Sequence, residues 1–235
     1  MEISEIFKVL TPILIIITYL SAFKGGKPTC NRFIINYFLY LLTSFSIFFT
    51  AMKVYEEKDM KVNKPVVMVL SLTWILLTIS FVFIKNMYLQ HLIFLAIVLI
   101  LAYLQRYYLQ TIDKEVIEET LKKMMIIILL CALIAIKFPQ YMNDSLLMIL
   151  IFGLLFVILF RILDIFLFDK KYNDMISMVS VFLFSGLIMY DTNRVINAAK
   201  ECRISGGSPN YLDHVLDMFL NIKNLFINLS DVLED

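Results

Sequence analysis

The sequence predicts an all-α integral membrane protein: a bundle of seven to eight transmembrane helices, the last one polar and a candidate re-entrant segment. Two observations carry this. Hydrophobic residues make up 60% of the 235 and charged residues only 17%, against about 45–50% and about 25% in soluble domains. The apolar residues also fall in uniformly apolar runs, without the period-2 alternation of a membrane strand. The same arithmetic excludes a disordered chain. With 21 Lys+Arg against 20 Asp+Glu and a net charge of +1, no basic surface argues for nucleic acid.

A bilayer core of about 30 Å needs roughly 20 mostly apolar helical residues per crossing. Eight segments qualify as candidates: 6–23, 33–52, 65–84, 87–105, 124–138, 146–168, 174–192 and 211–230. The leading residues MEISEIFK are acidic and no small-residue cleavage site follows, so 6–23 reads as a retained span rather than a signal peptide. Segment 124–138 is short and borrows length from the amphipathic stretch before it. There Glu115 and Glu119 stand at helical spacing with Lys122 and Lys123 behind them, a helical extension at the interface. The polar joints 23–32, 53–64, 106–123 and 193–210 are too short for a soluble domain, so 1–235 reads as a single polytopic membrane domain. Lys and Arg divide almost evenly between the two sides, which leaves orientation open. Cys30, Cys131 and Cys202, far apart and odd in number, suggest neither a disulfide framework nor a zinc site.

Ionisable groups inside a span cost about 2.5–3.5 kcal/mol or more, so they mark the place to look for function. In the last segment Asn210, His214, Asp217, Asn221, Asn224 and Asn228 recur at intervals of 4, 3, 4, 3 and 4. That spacing keeps them on one helix face, away from Val215, Met218, Phe219, Phe226 and Ile227. The stripe can line a pore or site, can be interhelical glue, or can belong to a helix lying on the membrane surface. Lys223 sits off the stripe near mid-segment, snorkelling or marking a partly re-entrant helix.

The seventh segment ends in SGLIMYDTNRVIN, with Asp191 at the close of its apolar run and Arg194 one turn later. Taken alone, these two read as an interfacial ion pair. A connection of under 20 residues brings the Asp217–Asn221 face of the next helix, so the polar groups can meet in one site. A carboxylate desolvated beside another acid holds its proton more tightly; such a site can exchange a proton for a cation or open and close with pH. Carboxylate and amide oxygens favour hard cations, which makes Ca²⁺ near Asp191 and Asp217 the candidate ion. Arg161 and Asp164 form a second candidate pair, structural in character, while His91 and His214 stand apart from each other and from cysteine. No phosphate loop, nucleophile elbow or zinc-protease helix is present, so no enzymatic activity, catalytic residue or cofactor is expected.

The C-terminal third resembles the transmembrane Bax inhibitor motif family, which includes Bax inhibitor, lifeguard and Golgi anti-apoptotic proteins. MYDTNRVI (189–196) resembles the family's Y-D-T-Q-x-I, with Asn193 in place of the glutamine. YLDHVLDMFLNIKNLF (211–226) resembles its Y-x-x-x-x-L-x-L-Y-L-D-x-x-N-L-F, and weaker similarity extends back to about residue 124. The resemblance implies about seven spans, one fewer than the candidates, so either 6–23 or 87–105 is the extra segment. It implies a pH-sensitive calcium leak and, in eukaryotic or viral members, suppression of cell death. It also implies an aspartate pair on the last two spans as the gate. The first aspartate falls on Asp191, the second on Asn221, which cannot ionise; Asp217 is an additional acid one turn earlier.

The expected ion site is therefore Asp191, Asp217 and Asn221, with Arg194, Asn224 and Asn228 supporting. Expected partners are the lipid bilayer, Ca²⁺ as permeating ion, and apoptosis regulators or further copies of the chain. The expected location is an internal membrane (endoplasmic reticulum or Golgi) for a eukaryotic or viral chain, and the plasma membrane for a bacterial one. A non-conducting protein that binds cell-death regulators or other channels is the rival reading.

Overall fold

A helix satisfies every backbone donor and acceptor within its own segment, which is why apolar runs of this length fold as helices in lipid. The computed structural model describes residues 3–57, 63–109, 112–205 and 209–234. They form α1 (Ile3–Ala22), α2 (Phe33–Glu57), α3 (Lys64–Phe83), α4 (Met87–Leu109), α5 (Lys114–Lys137), α6 (Asp144–Leu167), α7 (Asn173–Ser205) and α8 (Tyr211–Glu234). The all-α membrane reading holds. Five helices, α2, α3, α4, α6 and α7, are long and apolar enough to cross a membrane, and α1 contributes a shorter apolar stretch, Phe7–Ala22. The expected extension of 124–138 is real, because α5 starts at Lys114 and runs unbroken to Lys137. Its first turns carry the ion pairs Lys123–Glu119 at 2.7 Å and Lys122–Glu118 at 4.0 Å. The hydrogen bond from Lys123 holds the Glu119 carboxyl below its ordinary range. Helix α8 is likewise continuous through Lys223. The middle of the 53–64 joint lies outside the described residues.

The chain divides into two compact units, Met1–Thr111 with Glu201–Leu216, and Ile112–Lys200 with Asp217–Asp235. In the first unit α1 packs on α2, and α4 packs on both α2 and α3. The α1–α2 seam is a ladder of small polar side chains, the usual adhesive between helices in lipid. Thr11 meets Ser46 at 2.6 Å and Thr50 at 2.8 Å, Thr18 meets Thr43 at 2.7 Å, and Ser21 donates to Asn36 at 2.6 Å. Helix α3 buries only Phe81, which leaves most of its apolar surface for lipid.

Two features of this unit depart from the sequence reading. The 23–32 joint contains a minimal hairpin, β1 (Phe23–Lys24) and β2 (Lys27–Pro28), paired antiparallel. Its turn is Gly25-Gly26 with φ of 60° and 78°, the two positive values a tight primed turn requires. The second departure is a correction: Cys30 and Cys202 form a disulfide, with Cα atoms 5.6 Å apart and a sequence separation of 172. Sequence distance was the reason for doubting any bridge, and it misleads because the start of α2 and the end of α7 belong to one compact unit. Cys131 remains free and buried.

In the second unit α6 and α7 approach closely. A Cβ on Gly153 would come within 2.8 Å of Leu183, and one on Gly186 within 2.6 Å of Leu150. Asn143 caps α6 by accepting from the Leu146 amide at 3.1 Å. Asn193 on α7 donates to the Met142 carbonyl at 3.1 Å and is buried. Asn193 thus ties α7 to the joint preceding α6.

Candidate functional site

Helix α8 carries a polar stripe because its side chains repeat every three or four residues, and the two units take different parts of that stripe. In the first unit Asn210 caps α8 by accepting from the Leu212 amide at 3.2 Å and donates to Gln90 at 3.2 Å. His214 stands edge-on to Phe33, with ring centroids 6.3 Å apart. Beside them Tyr211 is buried; its hydroxyl donates to the Thr29 carbonyl and accepts from Asn36 at 3.1 Å. This end of the stripe is an anchor of caps and aromatic contacts.

The second unit holds the acids. Asp191 lies on α7 with only 6% of its surface exposed, and its carboxylate accepts from the Asn221 side-chain amide at 2.7 Å. Arg194, one turn further along α7, donates to Asp217 on α8 at 2.6 Å. That pair is about half exposed, with 42% and 45% of the side chains accessible. Asp191, Asn221, Asp217 and Arg194 are therefore gathered in one place, as the two motifs and their spacing predict. The partnering differs in one respect. The guanidinium serves Asp217, and Asp191 receives a neutral amide.

Asn224 and Asn228 fall at a second cluster. The Asn228 amide donates to the Asn224 carbonyl at 2.8 Å, and its oxygen accepts from Arg161 at 3.2 Å. Arg161 also donates to Ser177 at 2.7 Å and lies 3.8 Å from Asp231, and Ser177 donates to Asp231 at 3.0 Å. The expected Arg161–Asp164 pair is not formed. Asp164 is buried and accepts instead from the Tyr172 backbone amide at 3.1 Å. The two residues share a helix, but the acceptors facing Arg161 come from α7 and α8. Asp231 and Ser177 went unnoticed in the sequence, although Asp231 lies three residues beyond Asn228 and continues the 4-3 rhythm of the stripe. Lys223 Nζ lies 3.5 Å from Asn224 Oδ1, at the outer limit of a hydrogen bond. Among the described residues no three His, Cys, Asp or Glu side chains gather as a metal-holding group.

These groups lie in the two stretches on which the resemblance rests, MYDTNRVI (189–196) and YLDHVLDMFLNIKNLF (211–226). The sequence matches the Bax1-I family, described as inhibitor of apoptosis-promoting Bax1, over residues 30–235. The chain belongs to the Bax1-I family. The match reaches well beyond the C-terminal third in which the resemblance is visible by motif. It takes in α2 to α8 and begins after α1. A relative in Vibrio cholerae serotype O1, bearing the name "Uncharacterized membrane protein", is 36% identical over 81 residues. That similarity covers 34% of this chain and 33% of the relative's length.

Proposed function

We propose that this Bax1-I member is a passive, pH-modulated cation leak, with Ca²⁺ as the permeating ion, and that its action dampens apoptosis in cells that have that pathway. The observation that carries the reading is Asp191: a carboxylate 6% exposed on an apolar helix, hydrogen-bonded to Asn221 at 2.7 Å rather than ion-paired. An ionisable group in such a position is costly and is kept where it serves a function. Ionised, Asp191 offers a hard oxygen ligand beside the Asn221 amide, and a half-hydrated Ca²⁺ can exchange onto it. Protonated, it loses that charge, so protons and cations compete for one oxygen pair. The nearby Arg194–Asp217 pair joins α7 to α8 beside the site. Ca²⁺ is cargo in this scheme, not a resident cofactor, and the protein carries out no covalent chemistry.

The disulfide adds an orientation. Such bridges persist on the oxidising side of a membrane, so the 23–32 joint and the end of α7 belong to the lumen of an internal membrane or to the bacterial periplasm. Cys30→Ser leaves Cys202 as a thiol, and a membrane-impermeant maleimide should label it only from that side. Labelling from the cytosolic side alone contradicts the orientation.

Ca²⁺ release from liposomes carrying the purified protein tests the leak. Release well above that of empty liposomes, falling as the medium is acidified, is the expected result. The rival reading, a non-conducting partner of cell-death regulators, has one observation in its favour: the polar groups of α8 bond mainly to side chains of neighbouring helices, as packing glue would. It prevails if liposomes show no release while the protein still protects cells.

A further inference from the structure

The first unit contains two adjoining cavities that the ion site does not use. A chamber of about 190 Å³ is bordered by Lys85, Gln90, Asn210 and Tyr211. A larger gallery of about 480 Å³ runs between α1, α2 and α4, with walls that include Ile15, Phe23, Ile47, Phe94 and Val98. Tyr40, Met87, His91 and Leu212 line both, so the two spaces share a wall and form one amphipathic site.

Its chemistry is graded from end to end. The chamber holds one formal charge, the exposed ammonium of Lys85, and no carboxylate lines either space. Gln90 has its oxygen engaged by Asn210, which leaves its amide nitrogen to donate. The gallery has few polar groups, and several of these are already spent. Thr18 and Thr43 bond to each other, and the Tyr40 hydroxyl lies 3.1 Å from His91 Nε2. Since His91 Nδ1 lies 2.7 Å from the Met87 carbonyl, Nδ1 carries the proton and Tyr40 donates to Nε2.

The shape favours a chain over a compact ligand. From Met87 to Val98 the α4 wall rises by about 16 Å, comparable to a dozen methylenes laid end to end. Tyr19, Tyr88 and Leu95 on the rim are each more than 40% exposed, so the gallery opens sideways to the hydrocarbon and a second chain can stay in the bilayer. A membrane leaflet supplies an amphiphile of this form with a negative head.

We propose that this site holds an anionic phospholipid of the surrounding bilayer, with one acyl chain in the α1–α2–α4 gallery and the phosphate at Lys85 and Gln90. The inference is independent of cation conduction. The test is native mass spectrometry of the full chain reconstituted with phosphatidylglycerol and phosphatidylcholine and then returned to detergent. One phosphatidylglycerol per chain should be retained, in at least tenfold preference to phosphatidylcholine. Lys85→Glu, an exposed joint residue, should abolish that preference, and Leu95→Trp should reduce retention of either lipid by narrowing the gallery. Lys122→Ala, on α5, should change nothing. Equal retention of the two lipids, phosphatidylglycerol retention unaffected by both Lys85→Glu and Leu95→Trp, or capture of a free fatty acid in place of phospholipid would overturn the proposal.

Discussion

The second unit places two polar clusters along one pair of helices, and they are built in opposite ways. Around Arg161 the cation is central. Ser177 and Asn228 each accept from it, Asp231 stands beside it, and Ser177 closes the ring by donating to Asp231. Around Asp191 the acid is central, its close partner is the neutral Asn221, and the cation has gone to Asp217. Several bonds tie the Arg161 network together, although Arg161 Nε is buried without a hydrogen-bond partner among the described residues. A buried carboxylate facing an amide can gain or lose a proton without breaking an ion pair. On the proposed reading the difference separates a pin from a switch, although both belong to the same α8 stripe.

The largest effect that sharpens this comparison is on the pin. Arg161→Met removes the guanidinium beside the largely buried Asp231, and removing one partner of such a pair costs several kcal/mol when fully buried. With Arg161 one-third exposed, a loss of about 2 kcal/mol is expected, read as a lower unfolding midpoint in detergent. Ca²⁺ release per folded molecule should be retained. Loss of release with full stability would make Arg161 part of the pathway and erase the distinction.

A smaller effect is expected from placing a second acid opposite Asp191. Asn221→Asp sets a second carboxylate at contact distance, and two such groups titrate as a pair rather than singly. The pH response of release should steepen, and at the acidic end the two carboxyls should share a proton across the gap Asn221 now bridges. A response as shallow as that of the unmodified chain would mean that residue 221 does not face the titrating group.

The smallest effect belongs to the exposed pair. Arg194→Gln removes an ion pair about half open to solvent, worth at most about 1 kcal/mol, so the unfolding midpoint should hardly move. A drop as large as that for Arg161→Met would place the pin at Arg194 instead.

Much of this was legible in the chain because hydrophobic length and helical period are local properties. The apolar runs predict the helices, the 4-3 spacing predicts the α8 stripe, and Y-D-T followed by the facing helix predicts that Asp191 meets Asn221. What escaped depends on contacts distant in sequence. Cys30 and Cys202 pair across 172 residues. Arg161 had an acid three residues away on its own helix, yet its bonds go to Ser177 and Asn228, since the helix period says which residues share a face but not which neighbour that face meets. The same limit hid the partition of charge at the candidate site. Spacing makes Asp191 and Arg194 a pair, and only the packing of α8 gives Arg194 to Asp217. The Gly25-Gly26 hairpin could have been read from its dipeptide, and Asp231 from the continued rhythm of the stripe.

Asp191→Asn in the liposome assay bears most directly on the account. Asparagine keeps the size and can still accept from Asn221, so packing is disturbed little while the titratable charge is gone. Ca²⁺ release should fall by about tenfold, as expected if charge loss removes roughly 1.4 kcal/mol of ion stabilisation, and should lose its dependence on pH across the mildly acidic to mildly alkaline range. Release that matches the unmodified chain at every pH would contradict the assignment of Asp191 as the switch.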